Sequence, residues 1–169
     1  MRNQKSIRFS FALFLFLSTN FLSAGAGPRF GRNYGLFVGA GSPPISAISA
    51  GGVFNPYPRL KLTLEAGGGF NTTSSGASVD FLFNPNVPFS ATAGIGYYHM
   101  HISDGDIFFD DGIDDSKNIK ATGIRLGFDW MTSYGFNITG GVGLALQKLI
   151  PKHPKERAFY PYLNIGYFF

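Results

Sequence analysis

Residues 136–147 read as two interleaved sequences: Phe136, Ile138, Val142, Leu144 and Leu146 on one parity, Asn137, Thr139, Gly141, Gly143 and Gln147 on the other. Successive side chains of a β-strand point to opposite faces, so this alternation sets a greasy face against a polar one, which a helix cannot do. The pattern recurs. Leu60, Leu62, Leu64 and Ala66 alternate with Arg59, Lys61, Thr63 and Glu65, and Ala77, Val79, Phe81 and Phe83 oppose Ser78 and Asp80. Ala91, Ala93, Ile95 and Tyr97 oppose Ser90, Thr92, Gly94 and Gly96, while Ile124, Leu126, Phe128 and Trp130 oppose Gly123, Arg125, Gly127 and Asp129. Fainter alternation covers 33–41 and 45–55, and the last segment, 158–169, sets Leu163, Ile165, Tyr167 and Phe169 against Tyr162, Asn164, Gly166 and Phe168. The count is eight strands and no helix, because residues 27–169 hold neither a sustained helical period nor an apolar run long enough for a spanning helix.

The connections alternate as well. Gly41-Ser42-Pro43-Pro44 follows the first strand, then Asn55-Pro56-Tyr57-Pro58, Asn71 to Gly76, Asn84-Pro85-Asn86-Val87-Pro88, the long 103–118, Met131 to Gly135, and 148–157. The second, fourth and sixth are compact turns, and the long connections fall among the others. An up-and-down barrel in an outer membrane has this asymmetry, with short turns on the periplasmic side and longer loops outside.

Alternation alone fits a soluble sandwich, a lipocalin-like barrel with an apolar lumen, or a membrane barrel with its apolar face outward. The polar parity carries Lys61, Glu65, Asp80, Arg125 and Asp129 near mid-strand. The apolar parity is large and aromatic, and Phe54, Tyr57, Phe83, Phe89, Trp130, Tyr134 and Phe136 all flank the short turns. Rings gathered at strand ends read as an interfacial girdle. With 17% aromatic and only 14% charged residues, the chain has too much apolar surface to stay disordered. Having no cysteine, it has no disulfide framework, thiolate metal site or lipid-modified cysteine.

The N-terminus reads as a secretory signal peptide: Arg2, Lys5 and Arg8, then the apolar run 9–17, then Ser23-Ala24-Gly25-Ala26, with cleavage after Ala26 or Ala24. The apolar core is about half of the roughly 20 residues a membrane-spanning helix needs. The expected organisation is a signal peptide at 1–26 and one barrel domain at 27–169. Removing the signal takes three of the 14 basic residues and none of the ten acids, so the formal charge falls from +4 to +1 and the case for nucleic-acid binding disappears.

The chain stops at Phe169, with Tyr167, Ile165 and Leu163 on the same parity. This resembles the terminal strand that outer-membrane barrels present to their assembly machinery. With the signal peptide and the eight-strand count, the chain resembles the small OmpA/OmpX/NspA-type eight-stranded outer-membrane proteins. The resemblance implies an all-β fold, an eight-stranded antiparallel up-and-down transmembrane β-barrel in the bacterial outer membrane. It also implies contact with outer-membrane lipid and lipopolysaccharide, recognition of Leu163, Ile165, Tyr167 and Phe169 by the barrel-assembly machinery, and a monomer without cofactor.

The interior of an eight-stranded barrel is just wide enough for side chains to fill it, so no solute channel is expected. The inward parity is rich in glycine, at Gly67, Gly69, Gly94, Gly96, Gly123, Gly127, Gly141 and Gly143, and these small positions are expected to make room for Lys61, Glu65, Asp80, Arg125 and Asp129. Charges of both signs in so narrow a lumen should pair, because an unpaired buried ion costs several kcal/mol.

Function is then expected on the loops: envelope stability, adhesion or binding of a surface or host ligand, without enzymatic activity. Asp104, Asp106, Asp110, Asp111, Asp114 and Asp115 make the third outer loop acidic, whereas Lys148, Lys152, Lys155 and Arg157 against Glu156 make the last one basic. The two can pair with each other or meet lipopolysaccharide phosphates and their bridging cations. Calcium could sit among the aspartates, but their spacing is not that of an EF-hand. His99 and His101 share the apolar parity of Tyr97, as interfacial rings facing headgroups or as metal ligands. His101 and Ser103 are also similar to the His-x-Ser of PagL-type lipid A deacylases, which leaves a membrane-embedded lipid A acyl hydrolase as the alternative. In that family an Asn follows the Ser, where this chain has Asp104, and no catalytic Glu can be matched. The Gly-x-Gly sequences lie in strands with no helix after them and are no nucleotide fingerprint.

Overall fold

The computed structural model describes residues 27–41, 46–69, 72–102, 117–146 and 159–169. They form eight strands: β1 (Tyr34–Ala40), β2 (Ile48–Tyr57), β3 (Leu60–Gly69), β4 (Thr72–Leu82), β5 (Phe89–Ile102), β6 (Lys117–Met131), β7 (Phe136–Ala145) and β8 (Phe159–Phe168). Each strand pairs antiparallel with its chain neighbours, and β8 returns to β1 to close the barrel. Closure removes the free sheet edge and pairs the backbone amides and carbonyls of the strands with one another.

Two boundaries differ most from the sequence reading, and β6 begins at Lys117, inside the connection expected at 103–118. β2 continues through Pro56 to Tyr57, with its register against β3 shifting between Phe54 and Tyr57. Proline has no N–H to give the ladder, so it is tolerated where pairing is already interrupted, at a bulge. β4 starts at Thr72, so most of the segment read as a turn is strand, pairing with both β3 and β5. Small hydroxyl and glycine residues carry turn propensity, and here the pairing overrides it. Thr72 and Ser74 face the polar interior while Thr73 and Ser75 face outward, so this stretch is polar on both parities.

The short connections gather at one rim. They are 58–59, 83–88 and 132–135, joined there by residues 27–33 and by Phe169. The 132–135 turn is closed by Gly135, which has φ 96° and whose N–H bonds the Thr132 carbonyl, a conformation that favours glycine. The opposite ends of the strands form the other rim, the loop rim, and residues 42–45, 70–71, 103–116 and 147–158 lie outside the described residues.

The two faces are inverted relative to a soluble protein. Every strand exposes an aliphatic or aromatic side chain on its outer face, among them Leu36, Ile48, Leu64, Val79, Ile95, Leu126, Val142 and Ile165. Lys61, Glu65, Asp80, Arg125 and Asp129 are all buried inside. An apolar band around the whole circumference far exceeds the few hundred Å² that a soluble monomer exposes in one patch. A polar lumen inside an apolar wall is also the reverse of a lipocalin-like carrier.

Candidate functional site

Asp129 lies near the short-turn end of β6, with 1% of its surface exposed, and gathers five donated hydrogen bonds. Arg29 donates to its Oδ1 from Nε (3.1 Å) and Nη2 (2.6 Å), and Asn137 Nδ2 adds a third at 3.1 Å. Lys61 Nζ and Thr139 Oγ1 donate to Oδ2 at 2.7 and 3.0 Å. The carboxylate is thus shared by two cations, one on each oxygen. Charge-assisted bonds of this length are the strong kind, roughly twice as strong as neutral ones.

Arg125, also 1% exposed, centres a second and looser cluster. Its Nη1 lies 2.7 Å from Ser78 Oγ, 3.2 Å from the Tyr98 hydroxyl and 3.5 Å from Glu65 Oε1, and its Nε lies 3.7 Å from Asp80 Oδ1. The guanidinium also stacks over the Tyr162 ring at 4.2 Å, a cation–π contact in a desolvated setting.

The inward tyrosines Tyr98, Tyr160 and Tyr162 form an aromatic cluster that packs in the lumen around Arg125. They correct the expected role of the inner glycines. A Cβ on Gly96 would strike the Tyr98 ring, on Gly143 the Tyr160 ring, and on Gly127 or Gly141 the Tyr162 hydroxyl. Gly94 alone among those glycines faces a charged side chain, that of Asp80. Gly96, Gly123, Gly127, Gly141 and Gly143 therefore accommodate tyrosines, because a phenol ring is the bulkier occupant of so narrow a lumen.

Toward the short-turn rim Phe37, Val53, Met131 and Phe168 pack together. Between them and the ion pairs a void of about 10 Å³, lined by Thr63, Asn164 and Lys61 among others, has room for about one water. Among the described residues the lumen is filled by these ion pairs, tyrosines and apolar side chains.

Arg29 is the component that sequence reasoning missed. It precedes the first strand, yet is buried at the short-turn mouth, where it also donates to the carbonyls of Pro85, Val87, Pro88 and Asp129. Charge counting could have flagged it. Within the strands the inward parity holds three acids and two bases, because Arg59 of the same parity lies in the 58–59 turn, and a further positive charge then has to come from outside the alternating segments.

His99 is exposed on the outer face, and His101 is half-buried there with Nδ1 3.0 Å from Asn118 Oδ1. Among the described residues no group of three or more His, Asp or Glu side chains could hold a metal. Ser103, the acidic residues Asp104, Asp106, Asp110, Asp111, Asp114 and Asp115 with the calcium weighed for them, the basic segment 148–157 and the signal peptide expected at 1–26 all lie outside the described residues. Leu163, Ile165, Tyr167 and Phe169 form an exposed outward row on β8 and at its end.

No protein family matches the sequence, and no curated protein does. Among solved structures the chain is similar to the N-terminal β-barrel domain of Pseudomonas aeruginosa OprF, with a TM-score of 0.58 and 13% identity over 82% of this chain and 98% of that domain. Yersinia pestis Ail (12% identity, 82% of this chain, 99% of that one) and Neisserial surface protein A (14%, 81% and 94%) each score 0.49. The OprF likeness is one of fold: this chain has the fold of a small eight-stranded outer-membrane barrel.

Proposed function

We propose that this chain is an integral protein of the bacterial outer membrane whose barrel is a sealed anchor and whose work is done by the segments at the loop rim. The inversion of its faces carries this reading: charged groups inside, aliphatic side chains outside on all eight strands. In water that arrangement exposes its apolar surface and gains nothing, whereas in lipid it satisfies every strand. The aromatic side chains at the short-turn rim, including Tyr34, Tyr57, Phe89, Tyr134 and Phe169, are mostly exposed, as a headgroup-level girdle should be. The short turns then face the periplasm and the segments 103–116 and 147–158 face outward.

With the lumen packed, the barrel conducts no solute, and the acidic and basic outer segments are the surfaces left for envelope stabilisation, adhesion or ligand binding. The chain is no enzyme in this reading, and it works as a monomer. Its lipid partners are outer-membrane phospholipid and lipopolysaccharide, and the outward row Leu163, Ile165, Tyr167 and Phe169 is the signature read by the assembly machinery. The test is expression of the full chain followed by membrane fractionation and unheated electrophoresis. Recovery in the outer-membrane fraction with heat-modifiable migration, and cleavage of 103–116 by protease added to intact cells, is the expected result. Recovery in the soluble periplasm would overturn the reading.

A further inference from the structure

The outer faces of β4, β5 and β6 change character at the same height. Register partners across the three strands run Val79–Ile95–Ile124 and then Ala77–Tyr97–Thr122, within or at the edge of the apolar band. The next two rows toward the loop rim are Ser75–His99–Lys120 and Thr73–His101–Asn118. These six positions hold one ammonium, two imidazoles, two hydroxyls and one carboxamide, and no carboxylate. Five are exposed, and His101 is half-buried. On β3 the matching outward positions are Ala66 and Gly68, small and uncharged residues beside Ser75 and Thr73.

We infer that this patch binds the phosphate groups of a phosphorylated glycolipid in the outer leaflet, the chemistry of lipid A. The inference rests on the reading of the chain as a lipid-embedded barrel. Lys120 supplies a point charge with three donors, directly across the strand pair from His99, and the imidazoles, hydroxyls and Asn118 amide supply further donors around it. An anion is the complement of a patch that has a cation and no acid. Its depth selects the source. The rows lie on the barrel's side wall immediately above Tyr97 and the apolar band, where headgroups stand and acyl chains continue downward. A free anion would have to displace a lipid to reach it.

The experiment uses the full chain refolded in dodecyl maltoside micelles, with bis-phosphorylated lipid A or the same lipid stripped of its phosphates, and counts retained lipid by native mass spectrometry. The wild type should retain the phosphorylated lipid by at least about fivefold over the stripped form, the effect of roughly one basic contact near a membrane surface. The combined variant His99→Ala, His101→Ala and Lys120→Ala should lose that preference while keeping heat-modifiable migration, and Lys120→Arg should keep it. If the combined variant does not refold, Lys120→Gln alone carries the comparison. Undiminished preference in the variant overturns the inference, as does release of lipid A from the wild type by excess inorganic phosphate. A chain that inserts and shows no preference defeats this inference alone, whereas one that never enters micelles defeats the membrane reading beneath it.

Discussion

Replacing Asp129 by Asn keeps the shape of the side chain and removes the charge that two buried cations share. The amide offers one acceptor in place of two, and its NH2 must point donors at either Lys61 Nζ or Arg29. Arg29 is the less affected partner, because it retains the carbonyls of Pro85, Val87, Pro88 and residue 129. Lys61 keeps only Thr139 Oγ1 as a side-chain acceptor, at 2.7 Å. Breaking a buried pair by removing one member costs about 3–5 kcal/mol, and the carbonyls around Arg29 put this case near the lower end, about 3 kcal/mol. That is a more than hundredfold shift in the folded-to-unfolded ratio. Equilibrium unfolding in urea from lipid vesicles, followed through the single tryptophan next to it in the chain, Trp130, measures the loss. Combining Asp129→Asn with Lys61→Met removes the stranded ammonium, so the double variant should be more stable than the sum of the two losses predicts, by a coupling of about 0.5–3 kcal/mol. A loss below about 1 kcal/mol for Asp129→Asn, or strict additivity, would refute the view that this carboxylate holds the lumen together.

Leu126→Arg puts a charge at mid-height on the lipid-facing wall and should cost about 2–4 kcal/mol in the same unfolding assay; a change under about 0.5 kcal/mol, the usual cost at a water-exposed site, would point to a barrel that is not in lipid. Gly143→Val drives a side chain into the Tyr160 ring and should sharply reduce the fraction that refolds to the heat-modifiable form, whereas Gly52→Val, at an outward glycine with open space around it, should refold like the wild type. Liposomes carrying the protein should not swell in an isosmotic solution of a small sugar; swelling would mean that the packed lumen opens. Lipid A from cells with the native protein, with His101→Ala and with none should carry identical acyl chains by mass spectrometry, and a difference between the first two would revive the hydrolase alternative.

The strands were legible because the pleat is a local property. Period-two alternation needs no knowledge of partners, so each of the eight strands shows itself in its own ten or so residues, as 136–147 does. Boundaries were less legible where partners decide. Thr72 to Gly76 carry turn propensity and become strand only because β3 and β5 flank them on both sides. Pro56 likewise belongs to β2 through a register shift that sequence does not display.

The interior shows the same division between local and non-local information. Parity puts a residue on the inner face but not at a height or against a partner, and those depend on register. Gly76 opposes Tyr98, Gly141 opposes Tyr162, and Gly143 opposes Tyr160, so each ring leans over a glycine of the adjacent strand. Without the register Gly141 and Gly143 looked like space for charged groups, and Gly76 like the end of a turn. Arg29 lies in no alternating segment, and only the excess of inward acids over bases within the strands, with Arg59 left in its turn, hints at it. The polar patch of Ser75, His99 and Lys120 is three unremarkable residues until β4, β5 and β6 are aligned. A closed barrel of this size packs its lumen with side chains and leaves new chemistry to its rims and outer wall, where the chain has no period to betray it. The fold of such a protein is therefore far easier to read from its sequence than its partners are.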